Sequence, residues 1–282
     1  MELGTIERAA SSGARDGGEN VTEHPAFAWL ARAGLLARGV VYGVIGVLAI
    51  KVAAGAGGKT TNQQGALQTI AAQSFGKVLL LAVAVGLAGY AAWRLIRAAV
   101  GHGAQESDSA GERVAAAASG LVYAALCVVA VNILLGSGSS GSGGSSSPKQ
   151  ATAGVLGWTA GPEIVGAAGA VLIGVALYQG YKGLAKKFME QAETARMSRG
   201  VRQAYEALGV FGHLARMVVF GLTGYGLIDA AVEFDPHKAI GLDGALRELA
   251  SNSSGPYLLG AVAAGLIGFA LYSIADSRYR KA

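Results

Sequence analysis

The chain has 282 residues, of which 52 % are hydrophobic and 15 % are charged, and its formal net charge is +5. Its mean hydropathy of +0.42 excludes an ordinary soluble domain, in which about 25 % of residues are charged. Membrane proteins need basic loops, so we do not interpret the positive charge as a nucleic-acid signal. The single cysteine, Cys127, excludes an intrachain disulfide and a thiolate metal site.

Residues 1–26 are predicted to form a disordered cytoplasmic tail, because they are rich in Gly, Ser and charge and offer nothing to bury. They contain no apolar run before a cleavage site, so we expect no cleaved signal peptide. The first apolar segment after the tail is then itself the membrane-targeting signal.

Six apolar segments follow, and each is long enough to span a membrane. A helix of roughly 20 residues crosses the ~30 Å of hydrocarbon, and helices satisfy their own backbone hydrogen bonds in lipid. We therefore predict transmembrane helices at Leu35–Ala54, Val78–Val100, Val114–Leu135, Ile164–Leu184, Leu214–Val232 and Tyr257–Ala275. The 44 glycines favour close packing between them.

The segments form three copies of one two-helix unit, which sets the architecture. The predicted repeats cover residues 27–100, 113–184 and 205–277. They are aligned by matching sequences at Leu36–Gly43 and Leu214–Gly221, with a degraded copy from Ser119, and at Gly89–Trp93, Gly174–Tyr178 and Gly268–Tyr272. We predict an all-α integral membrane protein of three tandem helical hairpins, with pseudo-threefold symmetry about the membrane normal.

Short amphipathic helices are predicted to connect the two spans of the first and third repeats. They contain Gly65–Ala71 and Gly244–Ala250, and the expected N-caps are Asn62 or Thr61 and Asp243. In the second repeat, residues 136–147 are almost pure Gly and Ser and are predicted to be a flexible outer loop. The origin of this tract is left open: it is either natural low-complexity sequence or an inserted linker.

The distribution of basic residues predicts the orientation. Of the 23 Lys and Arg residues, 17 lie on the side of both termini and 6 on the other side. We therefore place both termini in the cytoplasm. The longest inner loop, Ala185–Ala204, is predicted to be a solvated helix, with a docking site for a partner or for anionic headgroups as the alternative.

Aligned positions become rings if the repeats surround an axis, and polar rings are candidate functional sites. At the outer end Lys51, Asn132 and Asp229 are equivalent, and Glu233 lies on the same helix face as Asp229. If these side chains face inward, Lys51 and Asp229 are predicted to pair. The alternative is that all four extend to the lipid headgroups.

At the inner end, Arg38 and Arg216 are equivalent to each other and to Ser119. Each arginine is a candidate clamp for a lipid phosphate or a carboxylate through its bidentate guanidinium. The alternative role is a positively charged anchor on the cytoplasmic side. Three further charged residues are predicted to be interface anchors at the ends of the second helices, namely Arg97, Lys182 and Asp276.

Two aligned sets of aromatic residues complete the candidates. Tyr42, Tyr123 and Phe220 lie deeper in the first helices, where they pack at the axis or line a cavity, and packing is the expected role. The second set lies near the cytoplasmic ends and is predicted to form an interfacial belt, Trp93, Tyr178 and Tyr272.

The sequence carries no pattern of a catalytic or cofactor site. Its four histidines lie in tails, loops or helix lead-ins, which does not suit bis-histidine haem. An HExxH zinc motif and a GxxxxGK[ST] phosphate loop are absent from the sequence. The serines lack a matching His and Asp set. We therefore expect no enzyme activity, no metal and no cofactor.

The repeat pattern resembles a bacterial family of unknown function whose members have six spans built from three two-helix repeats. The resemblance rests on the sequences at Leu36–Gly43, Gly65–Ala71 and Gly86–Trp93 and extends from about Ala31 to Arg278. It implies a bacterial inner-membrane protein and adds no catalytic residue. The second repeat departs from the pattern in its outer loop.

Three classes of function remain open. The first is a structural or accessory protein that binds membrane lipid, a membrane-protein partner or a second copy of itself, and it is favoured by glycine-rich packing and few mid-membrane charges. The second is a channel or small-solute transporter with a path along the axis. The third is a pigment- or cofactor-binding protein, which visible absorbance would test. Proline-broken spans, which are common in transporters, are absent from the sequence.

Overall fold

A computed structural model of the chain describes residues 25–100, 110–136, 148–251 and 253–280. Residues 1–24 of the predicted tail and 137–147 of the Gly/Ser tract lie outside these ranges. The described ranges contain nine α-helices and no β-strand: α1 (Pro25–Ala53), α2 (Gln63–Ala71), α3 (Gly76–Val100), α4 (Ala110–Leu134), α5 (Pro148–Leu156), α6 (Gly161–Leu184), α7 (Arg199–Val232), α8 (Leu242–Ser251) and α9 (Gly255–Tyr279).

Six of the helices are long and apolar enough to cross a membrane, as the sequence predicted: α1, α3, α4, α6, α7 and α9. The short helices α2, α5 and α8 connect the two long helices of each repeat. Asn62 caps α2 by accepting a hydrogen bond from the Gly65 amide at 3.0 Å, as predicted. Asp243 lies inside the first turn of α8 instead of capping it, so that prediction was wrong.

The long helices pack as a ring in the order α1, α3, α4, α6, α7 and α9, with α9 returning to α1. The first repeat pairs α1 with α3, and the third pairs α7 with α9. In the described part of the chain, α4 and α6 of the middle repeat do not pack along their lengths. They also bury the smallest shares of their spans. The ring is therefore open within the middle repeat.

The three contacts between neighbouring repeats share one register. Gly39 faces Ile274 where α1 meets α9, and Gly120 faces Leu95 at the equivalent position where α4 meets α3. A second pair of matching positions includes the third interface, because Gly46 of α1 faces Ile267 of α9 and Gly224 of α7 faces Ile173 of α6. Aligned residues of the repeats therefore occupy corresponding places between helices.

The inside of the ring is an apolar core. It includes fully buried residues of the first helices, such as Ile45 and Ala49, together with Leu266 and Phe269 of α9. Tyr42 belongs to this core, and Tyr123 and Phe220 pack against it. These three aromatic residues therefore have the packing role that was expected for them.

The inner loop between α6 and α7 differs from the predicted solvated helix. It forms two short 3-10 turns, Lys187–Gln191 and Thr194–Arg196, and it folds back onto the end of α9. The Glu193 amide donates to the Tyr279 carbonyl at 2.7 Å. Phe188 is fully buried against Gly209 and His213. The loop lies against α7 and α9 because burying Phe188 stabilises it there more than the charged residues around it would gain by forming a solvated helix.

Candidate inner-end binding site

The four residues of the predicted outer ring do not come together. Asp229 forms an ion pair with Lys238 at 3.1 Å, and Glu233 also pairs with Lys238. The hydrogen bonds that Lys238 donates to the Glu233 and Asp229 carboxylates raise the pKa of Lys238 above its ordinary value. The predicted pairing of Lys51 with Asp229 was therefore wrong. Lys51 instead lies at the end of an apolar groove between α1 and α9, and Asn132 is half-buried near the end of α4.

Among the described residues, the inner ends of the long helices carry five of the six buried polar or charged side chains, and Thr152 of α5 is the sixth. Arg38 of α1 is only 7 % exposed. Its Nε donates to Ser273 Oγ at 3.2 Å, and one terminal nitrogen donates to the Tyr90 hydroxyl at 3.3 Å. Its other terminal nitrogen lies 3.9 Å from a carboxylate oxygen of Asp276. Arg38 is thus surrounded by acceptors from α3 and α9.

Asp276 is the centre of this arrangement. It is fully buried, and it accepts a hydrogen bond from the Tyr205 hydroxyl at 2.8 Å and from Arg280 at 2.8 Å. Burial opposes the charged form of Arg280, but the Asp276 carboxylate raises its pKa above the ordinary value. The prediction that Asp276 is an interface anchor was wrong, because the residue is buried beneath Tyr205 of α7.

Further cations are linked indirectly to the same carboxylate, through hydrogen bonds to Tyr90 and Gln191. Arg94 donates to the Tyr90 hydroxyl from two nitrogens at 3.1 and 3.2 Å. Arg280 and Lys182 both donate to Gln191 Oε1. We call the connected set the inner cluster, which consists of Arg38, Tyr90, Arg94, Lys182, Gln191, Tyr205, Ser273, Asp276 and Arg280. It contains four cations and one carboxylate.

Aromatic rings shield the cations of the inner cluster. Arg94 and Arg280 lie over the Trp93 ring, at 5.2 and 5.1 Å from its centroid. Trp93 and Tyr272 are buried, whereas Tyr178 is 56 % exposed. The predicted interfacial belt is therefore wrong for the first two, which pack inside the protein. Cation–π contacts add modest stabilisation and do not neutralise charge.

Arg216 of α7 lies beside the inner cluster in a different environment. Its guanidinium carbon is 4.5 Å from the centroid of the Phe269 ring, 4.9 Å from that of Phe220 and 5.6 Å from that of Tyr42. Its Nε is buried and has no hydrogen-bond partner. His213, one turn earlier, is buried with Nδ1 2.7 Å from Gln179 Oε1, and its Nε2 is also unpartnered.

Sequence reasoning proposed Arg38 and Arg216 but missed most of the residues around them. Tyr90, Tyr205 and His213 gave no signal of their own, because each looks like an ordinary residue of a helix end. His213 was expected in a surface lead-in to the fifth span, but α7 continues through it without a break. Phe188 gave a weak indication of a packing contact, since an apolar side chain in a charged loop is usually buried against another element.

Comparison with known proteins places the chain among bacterial proteins. A family profile described as Domain of Unknown Function (DUF1206) matches three segments, residues 33–110, 114–186 and 211–280. The Uncharacterized protein YxxB of Bacillus subtilis (strain 168) is 34 % identical over 252 residues, which cover 88 % of this chain and 90 % of that protein. No solved structure matches the chain. The three matched segments agree with the prediction of three repeats.

Proposed function

The chain belongs to the family described as Domain of Unknown Function (DUF1206), and on this premise we propose that it is a non-enzymatic accessory protein of a bacterial inner membrane. In this proposal both termini are cytoplasmic and the three hairpins surround a pseudo-threefold axis. The inner end then faces the cytoplasmic leaflet and binds its anionic lipids. The shared register of the contacts between repeats supports the symmetric arrangement.

The charge of the inner cluster is the observation that carries this proposal. Asp276 is the one carboxylate of the inner cluster, and it pairs with Arg38 and Arg280. Arg94 and Lys182 join the cluster through Tyr90 and Gln191, and Arg216 adds a fifth positive charge beside them. Unbalanced charges close to hydrocarbon are costly, so they are normally paired or functional. Anionic headgroups of the cytoplasmic leaflet supply the missing negative charge at this depth, and each basic residue near that surface gains about 1 kcal/mol from them.

Selective stabilisation by anionic lipid is the expected result of this arrangement. A ligand that binds only the folded state at 100 times its Kd adds about 2.7 kcal/mol to the free energy of unfolding. We expect phosphatidylglycerol to raise the melting temperature of the purified protein in detergent, and phosphatidylcholine at the same concentration to raise it much less. Equal shifts from both lipids would contradict the proposal.

The packed core supports an accessory role over a channel along the axis. Val41 and Ile45 of α1, Leu266 and Phe269 of α9 and Val219 of α7 fill the inside of the ring with apolar side chains. Water and ions need a polar or hydrated path, and these residues offer neither.

Cysteine accessibility tests the closed interior and the orientation together. In a Cys127→Ala background we place single cysteines at Asn132, Asp229 and Tyr123. An impermeant thiol reagent added from the outer side is expected to label Asp229→Cys and Asn132→Cys and to leave Tyr123→Cys unreacted. Labelling of Tyr123→Cys from that side would indicate a wet cavity several turns deep and would favour a channel instead.

A further inference from the structure

We propose that Arg216 binds a phosphate group at the inner end of the helix ring, which the group reaches through the opening between α4 and α6. The inference rests on the proposed function and deepens it, because it assigns the anion a defined place. The phosphate belongs either to the headgroup of a cytoplasmic-leaflet lipid or to free inorganic phosphate, and the experiment below separates these two sources.

The repeats provide an internal comparison for Arg216. Arg38 occupies the equivalent place in the first repeat, where it has three acceptors, the Tyr90 hydroxyl, Ser273 Oγ and the Asp276 carboxylate. The alignment that equates Arg38 with Arg216 assigns to each of these acceptors an equivalent residue around Arg216. Those residues lie on α9 and α6, as the originals lie on α3 and α9.

None of the equivalent residues accepts a hydrogen bond from Arg216. Phe269 stands where Arg38 has Tyr90, and its ring has no hydroxyl. Gln179 stands in the place of Ser273, and its Oε1 is engaged by His213. Lys182 stands in the place of Asp276, so a cation replaces the carboxylate. One arginine therefore has a complete set of protein partners, and its counterpart has lost all three.

The remaining groups around Arg216 reinforce the need for an acceptor. Its Nε is buried without a partner, and Nε2 of His213 is a second unpartnered nitrogen on the same face of α7. Leaving a buried charged donor unsatisfied costs more than leaving a neutral one. The guanidinium is the group best suited to a phosphate, because Nε and a terminal nitrogen form two parallel hydrogen bonds to its oxygens.

The helix ring gives a phosphate access to Arg216. The guanidinium lies over rings from α1 and α9, so it points toward the inside of the ring. Among the residues that the structure describes, α4 and α6 do not pack along their lengths, which leaves the ring open between them. At the place equivalent to the two arginines, α4 carries the smaller Ser119, which is only half-buried. A lipid whose headgroup lies at Arg216 can therefore leave its acyl chains between α4 and α6.

The depth of Arg216 matches the position of lipid phosphates. In the span predicted from the sequence, Leu214–Val232, Arg216 is the third residue from the inner end. Hydrocarbon accounts for about 30 Å of the bilayer thickness, and the headgroups lie directly outside it. An inner-leaflet phosphate therefore reaches the guanidinium without being drawn into the middle of the membrane.

Native mass spectrometry of bound lipid tests the assignment. We compare the wild type with Arg216→Gln, and Arg202→Gln serves as the matched control because it removes the same charge from an exposed position on the same helix. The probes are phosphatidylglycerol, a diacylglycerol with the same acyl chains, and inorganic phosphate. Inorganic phosphate is used at about 10 mM, which is roughly ten times a millimolar Kd. We expect one tightly held phosphatidylglycerol in the wild type and in Arg202→Gln, and at least tenfold weaker binding in Arg216→Gln.

A second variant keeps the test decisive if Arg216→Gln folds poorly. Lys182→Asp restores the carboxylate that Arg38 has in Asp276 and gives Arg216 a partner from the protein itself. We expect it to melt at a higher temperature than the wild type without lipid, and to lose most of the shift that phosphatidylglycerol causes. An unchanged or larger lipid shift in Lys182→Asp would overturn the assignment.

The outcomes separate this inference from the proposed function. If the wild type prefers phosphatidylglycerol and Arg216→Gln binds it equally well, the phosphate does not lie at Arg216, although anionic lipid still binds the protein. If the wild type binds phosphatidylglycerol no more tightly than diacylglycerol and does not bind inorganic phosphate, both proposals are wrong. If inorganic phosphate competes with phosphatidylglycerol and binds with the same affinity, the free ion is the ligand. If the binding affinity instead depends on the acyl chains, the lipid is the ligand.

Discussion

Replacing Asp276 with alanine is expected to destabilise the folded protein by about 3–5 kcal/mol, which is the range for removing one partner of a buried ion pair. Arg38 and Asp276 are both buried, and Arg280 and Tyr205 donate hydrogen bonds to the same carboxylate. The substitution leaves the four cations of the inner cluster without a protein anion. Their mutual repulsion is then no longer offset by a negative charge of the protein.

Thermal unfolding in detergent measures this effect, and Asp229→Ala provides the matched control. Asp229 also binds a cation, Lys238, but its side chain is 30 % exposed, and pairs of this kind contribute at most about 1 kcal/mol. We expect the Asp276→Ala protein to melt roughly 10 °C below the wild type. Equal melting temperatures for the two variants would mean that Asp276 does not hold the inner end together.

A valine at Gly169 is expected to separate α6 from α7. A Cβ at this position would lie 2.7 Å from Ile228 Cγ1 and 2.8 Å from the Gly224 carbonyl oxygen. The backbone of α7 cannot move aside without losing its own packing, so overpacking costs about 1–3 kcal/mol or more. The interface between α6 and α7 is one of the three that join neighbouring repeats, and its loss opens the ring at a second place.

Gly174 of the same helix provides the matched control, because a Cβ at this position would meet no atom within 4 Å. Gly174→Val is expected to change the free energy of unfolding by less than about 0.5 kcal/mol. The yield of monodisperse protein and its melting temperature are the measurements. A Gly169→Val protein as stable as Gly174→Val would contradict the close approach of α6 and α7.

The architecture was predictable because it depends on features that repeat along the chain. The six apolar segments have the length that a bilayer requires, and the matching sequences at Leu36–Gly43 and Leu214–Gly221 identify the unit. Asn62 was recognisable as a cap from its position before α2. These features are local, so each can be recognised without knowing which helices pack together.

The candidate site was less predictable because its partners are distant in sequence. Asp276 was predicted to be an interface anchor, since a charged residue at the end of a span is usually one. Its burial depends on Tyr205 of α7 and on the inner loop, neither of which is near it in the chain. The outer ring failed for the same reason, because Lys238 competes for Asp229 from a 3-10 turn that the repeat alignment does not include.

The difference between Arg38 and Arg216 is visible only when the repeat in the sequence is combined with the contacts in the structure. The alignment alone equates Arg38 with Arg216 and predicts the same role for both. The contacts then separate them, since Arg38 binds Tyr90 and Ser273 whereas Arg216 lies over Phe269 without an acceptor. Departure from an internal repeat at a buried charge is therefore a useful sign of a missing ligand.

The central claim is that Arg216 binds the phosphate of an anionic lipid. A density map of the protein in nanodiscs containing phosphatidylglycerol, at a resolution that shows side chains, tests this claim most directly. We expect headgroup density within hydrogen-bond distance of the Arg216 guanidinium, and acyl density between α4 and α6. A closed contact between α4 and α6, or an Arg216 bonded to a carboxylate of the protein, would contradict it.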